Sequence, residues 1–283
     1  MNYSVAHLVI MAMTIGVVLA GGLYAARSVK SAEGFSLGGR SAGIPMIAGS
    51  IAGTCVGGGA TVGTAQLAGS IGLSAVWFTI GVGLSLLIMG IIYARPLRYT
   101  GLETISQYLV ENYGKGAGRF TSFATSLGIL FSAVASTLPG IGLLAALTGF
   151  SYAISAGILL LLVILYAFLT LMRVSVVAAI IIAMLIAITH KDSQILFWNY
   201  LSMALRGCGI FIPLTLAIFR PRAISPRWAL ASMVLSLGSA ILAGLVHTAM
   251  SPIFVGLGVS LIVVVMGMSW KKMTSESVSV HAQ

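Results

Sequence analysis

The residues best placed to do chemistry are glycines gathered between Gly38 and Gly72. Eleven of the chain's 34 glycines lie there, and no charged residue follows Arg40 within this stretch. Each glycine costs a helix about 1 kcal/mol of propensity relative to alanine, so a helix here is expected to break. Backbone carbonyl groups freed at a break in so apolar a segment are suitable ligands for a hard cation. The alternative is that these glycines are small residues that let neighbouring helices pack closely.

The composition identifies the environment of this stretch. The 283 residues are 59% hydrophobic and 7% charged, with a mean hydropathy of +1.09. These values exclude a soluble globular domain and indicate a polytopic helical membrane protein. The net charge of +10 does not indicate a nucleic-acid partner, because the basic residues are spread over loops. Cys55 and Cys208 both lie in apolar runs, which argues against a disulfide framework or a cysteine metal site.

The apolar runs predict an all-α polytopic transmembrane helix bundle with about nine spans. The predicted spans are Ser4–Ala26, Ile44–Ile71, Leu73–Ala94, Phe120–Leu147, Tyr152–Leu171, Val174–Thr189, Gln194–Phe219, Trp228–His247 and Pro252–Trp270.

The basic residues predict the orientation of these spans in the cell (inner) membrane. If the N-terminus is outside and the C-terminus cytoplasmic, 13 of the 15 Lys and Arg residues fall on the cytoplasmic side. Lys191 then lies outside and Arg206 within a span. The first span is not read as a signal peptide, since its positive charges, Arg27 and Lys30, follow the apolar run.

Two polar segments complete the chain. Between Arg95 and Arg119, residues Thr104 to Tyr113 alternate at helical spacing, which predicts a short helix along the cytoplasmic membrane surface. An ordinary loop is the alternative. Residues 273–283 are polar and are expected to form a disordered cytoplasmic tail.

Several motifs carry a family resemblance. Residues 30–43, KSAEGFSLGGRSAG, contain the pattern Phe35-x-Leu37-x-Gly39-Arg40 after a polar lead. The later matching positions are Ser50-Ile51-Ala52-Gly53-Thr54, Gly63, Gly72-Leu73-Ser74-Ala75-Val76-Trp77, Arg98-Tyr99 and Thr104-x3-Tyr108-Leu109, with a weaker match at Leu205-Arg206-Gly207 and Ile212-Pro213-Leu214. In these motifs the sequence resembles the sodium:solute symporter family.

The resemblance implies a LeuT-like core of five plus five inverted-repeat helices and sodium-coupled symport of a small organic solute. The sodium ion would be bound where the first core helix breaks, by the backbone carbonyls of Gly53 and Val56. Cys55, Gly57 and Gly58 would form the unwound turn and are candidates for substrate contact or gating. Carbonyl oxygens suit a hard cation such as sodium and require no particular side chain.

The sequence departs from the family after Tyr152–Leu171. From a joint near Leu171–Arg173 the chain continues directly with what resembles the ninth core helix, so about four central spans of the family pattern are missing. In a single transmembrane domain of residues 1–272, residues 1–171 then resemble the N-terminal part of the family and 172–272 the C-terminal part. The alternative function is an internally deleted, transport-inactive relative or a membrane partner subunit. The oligomeric state is left open.

The remaining ionisable residues limit which kinds of site the sequence can form. No acidic residue lies in a predicted span, and Arg206 is the one charge at membrane depth. Arg206 is therefore a candidate for gating or substrate contact. The alternatives are that it snorkels or binds backbone carbonyls around Pro213. No histidine pair has metal-ligand spacing, and no nucleophile, base and orienting group occur together, so an enzyme is not expected. The expected partners are sodium, a small solute and the lipid bilayer.

Overall fold

The computed structural model describes residues 5–28, 43–170, 174–246 and 251–280, and throughout these ranges it contains helices and no strand. The predicted all-α class is confirmed. Residues 30–42 of the family motif and the predicted joint at 171–173 lie outside the described residues.

The N-terminal helices follow the predicted apolar runs. Short π-helical segments at Gly59–Gly63 and Met89–Tyr93 and a 3-10 turn at Gly72–Ala75 connect some of them. The α-helices are α1 (Val5–Ser28), α2 (Ile44–Cys55), α3 (Thr64–Ile71), α4 (Val76–Ile88), α5 (Ala94–Tyr99), α6 (Ile105–Tyr113), α7 (Lys115–Thr148) and α8 (Tyr152–Thr170).

One of the five described C-terminal helices, Val174–Thr189, has the same bounds as a predicted span. These helices are α9 (Val174–Thr189), α10 (Ile195–Gly207), α11 (Phe211–Phe219), α12 (Pro226–Leu245) and α13 (Pro252–Val280).

Five helical stretches in the described part of the chain are long and apolar enough to cross a membrane, and four shorter apolar helices accompany them. The protein is therefore a polytopic integral membrane protein. The predicted spans do not each correspond to one helix, because two of them are interrupted. The second divides after α2, and the seventh divides between α10 and α11. Gly72, with φ +67°, marks the predicted boundary between the second and third spans.

The chain forms two compact units. The first comprises Met1–Val82 and Leu130–Asn199, and the second comprises Gly83–Ile129 and Tyr200–Gln283. Each unit thus draws residues from both sides of the predicted joint. In the first unit, α8 packs against α1 and α9.

The second unit is built on the pairing of α12 with α13. Buried serines hydrogen-bond across this pair: the hydroxyls of Ser232 and Ser260 are 2.8 Å apart, and Ser236 Oγ donates to the Gly256 carbonyl at 2.8 Å. Small residues let membrane helices approach closely, and buried hydroxyls need such partners. A Cβ atom at Gly256 would lie only 2.9 Å from Cys208 Cβ. The pairing therefore requires glycine at this position.

The predicted short helix between the third and fourth spans is present as α6. Its N-cap, Thr104, forms a capping box with Gln107. The Tyr108 and Tyr113 hydroxyls each donate to a backbone carbonyl at 3.0 Å, those of Ala217 and Pro213 respectively. Burial, and secondarily the neighbouring Tyr108, raises the pKa of Tyr113 to about 12. The helix is thus anchored to α11, and its position at the membrane surface stays a prediction.

Helix α13 extends to Val280 and so includes residues 273–280 of the predicted tail. No glycine or proline follows Gly267, so the sequence contains no residue that readily ends the helix. Lys271 Nζ donates to the Arg222 carbonyl. Disorder of the tail stays a prediction.

Gly256→Leu is expected to destabilise the protein by about 1–3 kcal/mol, the usual cost of overpacking a filled site. The new side chain would meet Cys208, Ala240 and the Ser236 carbonyl, all within 3.0 Å of its Cβ. Thermal unfolding in detergent measures the change. Gly258→Leu is the matched control, since a Cβ there meets nothing within 4 Å. Equal melting temperatures for the two variants would contradict the packing described here.

Candidate functional site

The helix break expected in the glycine-rich stretch is present directly after α2. Cys55 is the last helical residue, and Val56 has φ −90° and ψ 65°. The chain turns through Gly57 and Gly58 before the π-helical segment begins at Gly59. The interruption therefore includes the residues that the resemblance assigned to an unwound turn.

The break leaves the four consecutive carbonyls of residues 53–56 without a hydrogen bond from any described residue, and Gly53 and Val56 are two of them. Gly57 O accepts hydrogen bonds from Thr61 N at 3.2 Å and Thr61 Oγ1 at 3.1 Å, and Gly58 O accepts from Gly63 N at 3.0 Å. Among the described residues no hydrogen bond is directed to the carbonyl of Gly53 or Val56. A carbonyl at membrane depth requires a partner, which these two lack within this part of the chain.

Two further glycines bring other helices to the break. A Cβ at Gly58 would lie 2.3 Å from Cγ of Pro139, which is inside α7. A Cβ at Gly59 would lie 1.7 Å from Nδ2 of Asn199 on α10. Only a residue without a side chain allows these approaches. The interruption is thus packed against both helices within the first unit.

The proposed close-packing role of the glycines holds at some positions and not at others. Gly63 is in tight contact, with Ile195 Cγ2 3.0 Å from its ideal Cβ, and Gly57 makes an ordinary contact of 3.8 Å with Ser136 Oγ. At Gly53 no atom lies within 4 Å. Helix packing therefore explains Gly63 but does not explain Gly53.

Two amide side chains near the break were not singled out from the sequence. Asn199 contacts Gly59, and Gln66 Oε1 accepts a hydrogen bond from Ile195 N at 3.0 Å. Gln66 thereby supplies a partner for an amide at the start of α10. Amide side chains are rare in apolar segments, so the sequence could have marked both residues as unusual. Their spacing, however, does not predict that they lie beside the glycines.

Arg206 lies in the last turn of α10, one residue before that helix ends. Its Nη2 donates to Ser202 Oγ at 2.7 Å and its Nε to the Ser202 carbonyl at 3.4 Å, while Ser202 Oγ donates to the Gly128 carbonyl at 2.5 Å. Among the described residues the hydrogen bonds of Arg206 go to Ser202 and not to carbonyls around Pro213. Arg206 belongs to the second unit and is bound through Ser202.

Other ligand chemistry is limited in the described part of the chain. No group of three or more His, Cys, Asp or Glu residues is positioned to hold a metal ion there. Cys55 and Cys208 are free thiols, and Cys208 Sγ contacts the Ile253 carbonyl at 3.5 Å. Backbone carbonyls are therefore the candidate cation ligands that the geometry offers.

Fold and site together define a polytopic α-helical membrane protein with a discontinuous helix. Residues 35–171 match the model of the sodium:solute symporter family. Over these residues, which are just under half of the chain, the sequence is similar to the sodium:solute symporter family.

Two relatives carry the name high affinity choline transporter 1. The chain is 29% identical to the mouse protein over 144 residues, which is 48% of this chain and 25% of that protein. It is 32% identical to the rat protein over 105 residues, 36% of this chain and 18% of that protein. The chain thus spans about a quarter or less of the length of these relatives. No solved structure matches it significantly.

Gly58→Ala is expected to destabilise the protein by about 1–3 kcal/mol, because the Pro139 ring cannot rotate away from the new methyl group. Gly69→Ala is the matched control, since it is helical and open, and it should be neutral or stabilising by up to about 1 kcal/mol. Thermal unfolding in detergent compares them. Recovery of stability in Gly58→Ala with Pro139→Ala would identify the contact, and no loss in Gly58→Ala would exclude it.

Ser202→Ala is expected to cost about 1 kcal/mol, because it removes the hydrogen bonds that the buried Ser202 hydroxyl makes with the Gly128 carbonyl and with Arg206 Nη2. Ser155→Ala is the matched control. Both serines are fully buried, but Ser155 Oγ has no hydrogen-bond partner among the described residues, so its removal should be neutral or stabilising. The measurement is again thermal unfolding, and equal effects of the two substitutions would contradict the assigned role of Ser202.

Proposed function

We propose that this protein is a secondary transporter that couples sodium to the movement of a small organic solute, with sodium bound at the break after α2. The single observation that carries the proposal is the break after α2, where the carbonyls of residues 53–56 accept no hydrogen bond from any described residue. Similarity to the sodium:solute symporter family over residues 35–171 supports the same assignment and selects Gly53 and Val56 among these carbonyls.

The polar groups around the break favour a backbone site for a monovalent ion. The Thr54 hydroxyl is engaged with the Ser50 carbonyl at 2.9 Å and the Thr61 hydroxyl with the Gly57 carbonyl at 3.1 Å. Neutral carbonyl oxygens remain, and no acidic residue lies in the stretch from Ser41 to Gly72. A hard cation of single charge fits such a site better than a divalent ion, which carboxylates usually hold. Cys55, Gly57 and Gly58 surround this position and are the proposed substrate or gating residues.

Choline is the first solute to test, because two relatives are named for it. Its quaternary ammonium would be repelled by a guanidinium, so Arg206 is better suited to gating than to contact with this solute. The position of Arg206, directly before the interruption between α10 and α11, supports that role.

We also propose that the protein is oriented in the cell membrane with its N-terminus outside, as its basic residues indicate.

The test is equilibrium binding of radiolabelled sodium to purified protein in detergent, with potassium as competitor. Saturable sodium-selective binding is expected, with loss in Gly53→Trp because the indole would cover the carbonyls. Gly49→Trp is the matched control: it lies one turn earlier in α2, its ideal Cβ is equally open, and binding should be retained.

Absence of saturable binding in protein that elutes as a single species would overturn the proposal and favour a transport-inactive relative. Where sodium binds, choline uptake into proteoliposomes under an inward sodium gradient tests coupling. Uptake that is equal with and without the gradient would exclude sodium-driven symport.

A further inference from the structure

A cavity of about 470 Å³ opens to the surface between α6 and the first turns of α7. Lys115 and Arg119 line it, together with the hydroxyl-bearing residues Thr104, Ser106 and Ser122. All five belong to the second unit, and none takes part in the proposed sodium site. The cavity thus combines two cationic side chains with three hydroxyl groups.

The walls of this cavity are held together by direct contacts. A Cβ at Gly118 would lie 2.0 Å from Val110 Cγ2 and 3.3 Å from the Ser106 carbonyl, so α6 and α7 touch at this glycine. Within α6, Gln107 N donates to Thr104 Oγ1 at 3.2 Å, and Thr104 N donates to Gln107 Oε1 at 3.1 Å. The cavity is therefore a formed feature rather than a gap between loose segments.

The two cations are unfavourably placed for the helix that carries them. Lys115 and Arg119 are four residues apart on one face, and like charges at this spacing repel. They lie at the N-terminal end of α7, where the helix dipole disfavours positive charge, and no acidic residue stands in the first turn. Neither has a hydrogen bond or ion pair with any described residue. Helix stability does not explain them, whereas a bound anion would.

The position of the cavity favours a lipid as the source of that anion. Helix α6 connects one candidate span that ends at Tyr99 with another that begins at Lys115. The cavity therefore lies at the end of two candidate membrane spans, where lipid headgroups are expected. Basic pockets at this level bind anionic lipid headgroups, and phosphate oxygens accept from ammonium, guanidinium and hydroxyl donors.

We propose that this cavity binds the phosphate of an anionic phospholipid headgroup. Lys115 and Arg119 neutralise the phosphodiester, and the Ser106 and Ser122 hydroxyls donate to its oxygens. The site is independent of sodium and of the transported solute. A purely topological role for these cations, as part of a positive cytoplasmic loop, is the competing explanation.

The experiment titrates purified protein in detergent with phosphatidylglycerol or phosphatidylcholine and counts bound lipids by native mass spectrometry. Phosphatidylglycerol is expected to bind more tightly than phosphatidylcholine. In Lys115→Gln/Arg119→Gln, its affinity should fall by about tenfold or more, since each cation near an anionic headgroup contributes about 1 kcal/mol. Lys115→Arg/Arg119→Lys preserves both charges and should bind nearly as well as the unmodified chain.

The matched control is Arg220→Gln/Arg227→Gln, which removes the same charge from exposed residues of the second unit outside the cavity. Its affinity for phosphatidylglycerol should be unchanged. An equal loss in both double variants would assign the effect to net charge and overturn the site, as would equal binding of the two lipids.

Inorganic phosphate, measured by calorimetry without lipid, separates the two sources of a phosphate group. Saturable phosphate binding that requires Lys115 and Arg119, without any lipid preference, would replace the lipid by a soluble anion and overturn the proposal. A melting temperature for each variant close to that of the unmodified chain establishes that the comparison is made on folded protein.

Discussion

The structure depends on one constraint, which is that a backbone group at membrane depth must find a polar partner. A continuous helix meets this requirement internally, and an interrupted helix does not. At the break after α2, Gly57 O and Gly58 O accept hydrogen bonds from the following segment, while the carbonyls of Gly53 and Val56 accept none from the described residues. Carbonyls freed at such a break need another polar partner. That requirement is the physical basis for proposing an ion near Val56.

Glycine makes the interruption possible in a second way, through close approach. Gly58 admits the Pro139 ring and Gly59 admits the Asn199 amide. The second unit repeats the same physics at the interruption between α10 and α11, where a Cβ at Gly209 would lie 2.9 Å from the Met233 carbonyl. Both interruptions therefore depend on glycine at a position of close approach.

The charged residues differ from the glycines in that their partners, rather than the space around them, distinguish their roles. Arg206 is satisfied locally, because Ser202 connects its guanidinium to the Gly128 carbonyl. Lys115 and Arg119 are not satisfied by the described residues and lie at the end of a span. The first arrangement is that of a charge bound within a helix pair, and the second leaves two cations available for the proposed anionic ligand.

The sequence by itself determined the features that arise from local composition. Hydropathy located the apolar helices and placed α9 at its observed bounds, and glycine density placed the break near Val56, because both are properties of neighbouring residues. The family was also recognisable, since its motifs are contiguous. Only the tertiary structure decided which helices meet: Ser202 bonds to a residue 74 positions away, and Asn199 lies against Gly59. Such pairings depend on the three-dimensional path of the chain, which no local pattern encodes. The helical continuation of α13 past Lys271 was not indicated by its polar composition, since polarity predicts solvent exposure but does not end a helix.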